Sequence, residues 1–367
     1  MDFAVLAVIV MAGLAGPLLA LPLGWNVPVV VGELLMGVVL GRTGLGFLDA
    51  SNNTFSFLAD VGFGLVMFVV GTHVPVRDVS LRRSLGRGTA RAALVLPIID
   101  SLNLGGQHVL ELLPQVAIAD AACIVALPLA IDPPHAARAA VGALAVILAG
   151  AIVFAALFLL ERKGLRRRVH RLSEERHFAL ELRISLMILF SLAAVATRSH
   201  VSIMLAGFVF GLALAGIGEP RRLARQLFAV TEGFLGPLFF VWLGASLELR
   251  ALAARPTLIL LGLLLGLGAV LSHWLTRPTG QPLSVGSLAA AQLGVPVAAA
   301  ALGTSLNVLQ PGEPAALVLG ALVTVAVATL AGGSAVRHGY LRSPDDASPT
   351  QRARRTRPSS QTGSPDS

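Results

Sequence analysis

Apolar runs long enough to cross a bilayer follow one another almost to the end of this chain, separated by short loops rich in Gly, Pro and Arg. A spanning helix takes about 20 mostly apolar residues. Windows at 3–22, 28–44, 55–72, 92–107, 111–131, 136–160, 178–198, 201–217, 228–247, 255–276, 284–306 and 314–336 approach or exceed that length. Charged residues make up only 13% of the chain, about half of what a soluble domain carries. The pattern predicts an all-α polytopic membrane protein and excludes a soluble enzyme.

The formal charge of +8 comes almost wholly from arginine, Lys163 being the one lysine. These arginines lie between apolar runs and in the tail, where orientation signals belong, so no folded basic face for nucleic acid is expected. Cys123 stands alone, which gives neither a disulfide framework nor a cysteine metal site. No Gly-x-Gly-x-x-Gly turn or P-loop is present, and no cofactor is expected. The first run follows Asp2 rather than a basic region and reads as a retained helix. From Tyr340 onward Ser, Pro, Arg and Asp dominate, which predicts a disordered tail. Its Arg352, Arg354, Arg355 and Arg357 are expected to lie on anionic lipid or simply to mark the cytoplasmic side.

Loop 77–91 carries Arg77, Arg82, Arg83, Arg87 and Arg91, and the hinge 161–176 carries Arg162, Lys163, Arg166, Arg167, Arg168, Arg171 and Arg176. Both belong in the cytoplasm by the positive-inside rule, so an even number of crossings must separate them. Three apolar runs lie between. Either 92–107, short and holding Pro97 and Asp100, dips in without crossing, or one helix is absent.

A pattern recurs across the hinge. Val31-Gly32-Glu33-Leu34-Leu35-Met36-Gly37 and a run ending Phe68-Val69-Val70-Gly71 are matched later by Leu205-Ala206-Gly207-Phe208-Val209-Phe210-Gly211 and Phe239-Phe240-Val241-Trp242-Leu243-Gly244. Placing Gly71 on Gly244 also places Arg77 on Arg250. Small residues at such spacings let helix backbones touch. The reading is one membrane unit used twice: a first repeat at 1–160, a basic cytoplasmic hinge at 161–177, a second repeat at 178–339 and a tail at 340–367.

These motifs, in this order, resemble the Kef-type cation:proton antiporters of the sodium/hydrogen exchanger superfamily. The resemblance covers most of residues 1–337. It implies two inverted repeats, two broken helices crossing at mid-membrane, a homodimer, and exchange of a monovalent cation (Na⁺ or K⁺) for H⁺ by alternating access in a bacterial inner membrane. The expected broken pair is 111–131, with Asp120, Cys123 and Pro128, and 284–306, with Gln292, Gly294 and Pro296. The chain departs from the family at two places. The acid usual in the helix after the first broken one would fall near Gly150-Ala151, and the basic residue usual before the second near Ala269, and both positions are apolar. A non-transporting subunit of the same fold, or a carrier of a different solute, therefore stands beside the antiporter.

Antiport needs a carboxylate that holds either a proton or a cation, and burial brings the two into competition. Asp120 is the foremost candidate, with Gln292 and Thr304 as neutral oxygen ligands and Asp100 behind them. Ser305 is a further neutral oxygen. Glu33 is expected to cap and pack the start of its helix. Asp60 and Glu232 are expected as helix-start charges, and His73, His108 and His200 as span-edge or loop residues. Gly32, Gly37, Gly71, Gly207, Gly211, Gly244, Gly294 and Pro296 are expected to serve packing and helix breaking.

Overall fold

The computed structural model describes residues 1–21, 28–72, 74, 122–162, 180–199, 201–217, 227–275, 283–291 and 294–337. Loop 77–91, the segment 92–107, most of the hinge and the tail lie outside them. Among the described residues every element is helical, and eight segments are long and apolar enough to cross a membrane.

Helix ends follow local chemistry. Asp2 accepts a hydrogen bond from the Val5 amide at 2.9 Å, capping α1 (Phe3–Gly13). α2 (Ala15–Ala20) continues it after an irregular residue at Leu14. Pro28 opens α3 (Val29–Leu40). The Asn52 side chain accepts from the Thr54 and Phe55 amides at 3.1 and 3.2 Å, opening α4 (Asn53–Thr72). α5 (Ala122–Ile131) stops before Pro133-Pro134, because a residue ahead of proline is driven out of the helical region. Asp132 sits there at φ −133° and ψ 74°. α6 (Ala136–Arg162), α7 (Leu180–Arg198), α8 (Ile203–Ile217) and α9 (Leu227–Ser246) follow. A short α10 (Leu249–Ala253), α11 (Pro256–Trp274), α12 (Leu283–Ala289), α13 (Gly294–Ser305) and α14 (Glu313–Arg337) complete the chain. α9 contains one π turn at Thr231–Leu235, just before Pro237, whose missing N–H breaks the regular helical ladder.

Glycines fix how the halves meet. A β-carbon on Gly71 would run into the Phe208 carbonyl, the Leu212 amide and the Gly211 α-carbon. On Gly244 it would run into the Leu34 carbonyl, the Val38 amide and the Gly37 α-carbon. Shifting the first set by the spacing that carries Gly37 onto Gly211 reproduces the second, so α3 and α4 are to α9 and α8 what α8 and α9 are to α4 and α3. The match extends to the contact of α4 with α9. Phe63 stacks on Phe239 with centroids 4.5 Å apart, and Val66 lies beside Gly236, which is the same pair with its members exchanged.

Helix directions follow from such contacts. Along α4 and α8 the contacts rise together, Gly64 at Gly207 and Phe68 at Gly211. Between α4 and α9 they run oppositely, Phe63 at Phe239 and Val66 at Gly236. A two-fold relation between antiparallel helices has its axis across them, so the repeats are inverted relative to each other. α6 also runs parallel to α8, with Gly142 at Ser199 and Gly150 at Val209, so α4 and α6 point the same way.

α8 is buried on nearly every side and sits between α4, α6 and α7. α6 turns Val141, Leu144, Leu148 and Ile152 outward, and α11 does the same with seven leucines along its length. In lipid these apolar faces are solvated rather than exposed. α11, α12 and α13 all pack on α14.

Candidate functional site

The expected second broken helix is broken. α12 ends at Ala289 and α13 begins at Gly294, inside the most buried of the spanning segments. Pro296 explains the start of α13. It falls in the first turn, where its missing N–H matters least, and its ring would clash with the carbonyl four residues earlier if the helix ran on backwards. α12 closes with the Ala290 amide on the Gly286 and Ser287 carbonyls and the Ala291 amide on the Leu288 carbonyl. The carbonyl end of one half-helix and the amide end of the other therefore face each other across the break, bringing opposite partial charges to it. Among the described residues a β-carbon on Gly294 would meet nothing within 4 Å. Such a break can offer carbonyl oxygens to a cation and amides to an anion.

One side-chain hydrogen bond ties α12 to α11. Trp274 Nε1 of α11 donates to Ser287 Oγ at 2.8 Å, and Ser287 Oγ donates to the Leu283 carbonyl at 2.9 Å. Beside them, His273 Nδ1 lies 2.6 Å from the Ala269 carbonyl. Ala269, where the resemblance places a basic residue, is thus capped by a titratable ring one turn further along α11. Periodicity held the signal, since residues four apart share a helix face.

The far end of α13 meets α5. A β-carbon on Gly303 would touch Ile131 Cδ1 and Leu309. α13 terminates on Asn307 at φ 55°, a left-handed residue that lets the Val308 amide reach the Gly303 carbonyl and the Asn307 amide the Thr304 carbonyl. Between this end, α5 and the start of α6 lies a cleft of about 180 Å³ lined by Pro128, Asp132, His135, Arg138, Ala139, Leu302 and Leu306. The described end of the first expected broken segment therefore meets the far end of the second, at Ile131 and Gly303, while 111–121, where the first break was expected, lie outside the described residues.

The sequence-predicted residues fall unevenly. Asp120, Asp100 and Gln292 lie outside the described residues, as do His73, His108 and His200. Thr304 is exposed in the last turn of α13, about 15 Å along the axis from Gly294, and Ser305 Oγ turns back onto the Leu302 carbonyl. Neither reaches the break. Glu33 is 4% exposed and caps nothing, since Pro28 holds the cap position. Its methylene packs where Gly16 leaves room. Asp60 and Glu232 are not helix-start charges: the first lies two turns into α4 and the second inside the π turn of α9. Gly32 lies against Ala15 and Gly16 of α2.

The departure near Gly150-Ala151 changes meaning. Gly150 faces Val209 of α8, where even a β-carbon would collide with the valine. Among the described residues α6 packs chiefly on α7 and α8. A side chain at Gly150 would therefore have to enter the seam with α8. Sequence reasoning overlooked the Asp132–His135 pair, although titratable residues on either side of Pro-Pro between two apolar runs were signal enough.

Comparisons with known proteins agree in direction. A family model described as sodium/hydrogen exchanger, transmembrane, matches residues 89–337. The chain is 22% identical to the putative Na⁺/H⁺ antiporter YjbQ of Bacillus subtilis, over 87% of this chain and 60% of that protein. It is 25% identical to the Na⁺/H⁺ antiporter NhaS5 of Synechocystis, over 76% of this chain and 46% of that one. It is 22% identical to the Na⁺/H⁺-K⁺ antiporter GerN of Bacillus cereus, over 60% and 65% respectively. The chain thus spans about half to two thirds of these relatives' lengths. In structure it is similar to the sodium proton antiporter MjNhaP1 of Methanocaldococcus jannaschii, with a TM-score of 0.56 at 16% identity over 91% of this chain and 97% of that one.

Proposed function

Because the chain belongs to the sodium/hydrogen exchanger family, we propose that it exchanges a monovalent cation, Na⁺ or K⁺, for H⁺ by alternating access in a bacterial inner membrane. The observation that carries this reading is the interrupted helix α12–α13 within the most buried span. A spanning helix gives up backbone hydrogen bonds only where a cavity or a ligand replaces them. Asp120 is the carboxylate we assign to the proton–cation competition, with Gln292 adding a neutral oxygen. The contact of Gly150 with Val209 supports this choice, because it leaves no room for a side chain at that position. We further propose a homodimer and a cytoplasmic C-terminal tail.

One observation favours another solute or a non-transporting subunit: among the described residues α12 and α13 carry no charged side chain. Everted vesicles decide. Native protein should collapse a preformed proton gradient on addition of Na⁺ or K⁺, and Asp120→Asn should not. If neither cation moves protons with the native chain, the antiporter reading is lost. If Asp120→Asn matches native, the carboxylate lies elsewhere.

A further inference from the structure

The junction of α5 and α6 is stiffened by Pro133 and Pro134, whose rings fix their own φ angles. Its two flanking side chains face each other: His135 Nδ1 lies 2.9 Å from Asp132 Oδ2 and 3.1 Å from Oδ1. The Asp132 side chain is 20% exposed and that of His135 62%, so the carboxylate lies inward and the imidazole at the opening. Both line the cleft against Leu302 and Leu306 of the α13 end, and Arg138 lines it from the first turn of α6.

Other charged groups near this cleft are few. Among the described residues α5 and α13 carry none, and the turn after α13 has none before Glu313. Arg198 ends α7 beside Ser199, which abuts Gly142 one turn above Arg138. Counting the lining groups, Asp132 and Arg138 cancel, so the cleft is neutral when His135 is neutral and carries +1 when His135 is protonated. The seven basic residues from Arg162 to Arg176 place the end of α6 in the cytoplasm, so this cleft opens to the outer face.

We propose that the Asp132–His135 pair, together with Arg138, is a second proton-binding site, at the outer mouth, which decides whether a monovalent cation enters the cleft between α5 and α13. Protonation at the imidazole makes the cleft a cation-repelling funnel, and deprotonation removes the barrier. Proton and cation thus oppose each other at the entrance as well as at the transport site. A unit charge 8–10 Å from an entering cation in a partly solvated cleft changes its affinity by about two- to tenfold.

This inference rests on the exchanger reading for its meaning, and its test separates the two. In right-side-out vesicles the apparent affinity for Na⁺ or K⁺ at the outer face is measured from pH 5 to pH 8. His135→Gln should retain two- to tenfold more affinity than native at pH 5 and equal it at pH 8. His135→Lys should be weak at every pH. A His135→Gln profile that follows native throughout overturns the proposal. Should the native chain prove not to transport, the cleft charge remains measurable in a Cys123→Ser, Leu306→Cys background. There the ratio of labelling rates by trimethylammonium-ethyl and neutral methanethiosulfonate reagents cancels thiol ionisation. That ratio should fall at least twofold on acidification and stay flat with His135→Gln. A flat ratio in both sinks the site, and a falling one upholds it whatever becomes of transport.

Discussion

Gly71 and Gly244 each lie against a glycine of the opposite repeat, Gly211 for the first and Gly37 for the second, with the same neighbouring carbonyl and amide in each case. In a bilayer, helices gain little from hiding apolar surface from one another, so close backbone packing carries much of their association. A β-carbon at either position would meet backbone that cannot swing aside. Gly71→Ala and Gly244→Ala are therefore each expected to destabilise by about 1–3 kcal/mol and by similar amounts. Gly268 in α11 has nothing within 4 Å of its would-be β-carbon, and Gly268→Ala should be neutral or gain up to about 1 kcal/mol from helix propensity. Thermal melts of the three variants in detergent check the ordering. A Gly71→Ala protein as stable as Gly268→Ala would contradict the packing account.

The parallel course of α4 and α6 makes a claim about sidedness. Both run alongside α8 in the same sense, so their C-terminal ends, Thr72 and Arg162, open on the same side of the membrane. Reporter fusions after Thr72 and after Arg162 should both report the cytoplasm. Opposite reports would overturn the helix directions and with them the inverted repeats.

Much of this was legible beforehand, for reasons that differ by residue. The apolar runs announce helices because the bilayer forbids almost anything else. The matched glycines announce a repeat because only small residues allow that contact. Matching Gly71 to Gly244 gave equivalence without partnership, since which helix a glycine touches is settled by tertiary packing. The break between Ala289 and Gly294 was readable from Gly294 and Pro296, whose effects are local. The role of α6 was not readable: a run of apolar residues looks the same whether it faces the break or, as here, α8. Asp60 and Glu232 were misplaced because helix starts were set by Asn52 in one case and lay further upstream in the other.

Across the repeat seam, two polar contacts near the end of α9 differ in worth. Arg42 Nη1 meets Glu248 Oε1 at 2.9 Å, with the arginine side chain 68% exposed. Thr43 Oγ1 donates to the Leu247 carbonyl at 2.6 Å and accepts from the Leu249 amide at 3.1 Å. Exposed ion pairs contribute about 0–1 kcal/mol, whereas leaving two half-buried backbone groups unpaired costs about 1–3 kcal/mol each. Thr43→Val should thus lower the melting temperature more than Arg42→Gln does, and salt should erode only the difference between native and Arg42→Gln. The reverse order would mean the ion pair, not the hydroxyl, secures the seam.

The tie from Trp274 to Ser287 bears on the half-helix itself. α12 has seven residues, too few to be stable alone, so it depends on what it touches. Ser287 is 4% exposed, and its hydroxyl takes the indole N–H while bonding the Leu283 carbonyl. Ser287→Ala and Trp274→Phe remove the same hydrogen bond from opposite sides, each at a cost of about 1 kcal/mol. Because the bond links α11 to α12 and reaches no part of α13, the loss should stay on one side of the break. Hydrogen exchange is expected to quicken severalfold across residues 283–291 in both variants and to be unaltered across 297–305. Acceleration of both half-helices together would mean that the break transmits strain and that α12 and α13 move as one body. No acceleration in either would mean that packing on α14, rather than this bond, holds α12 in place.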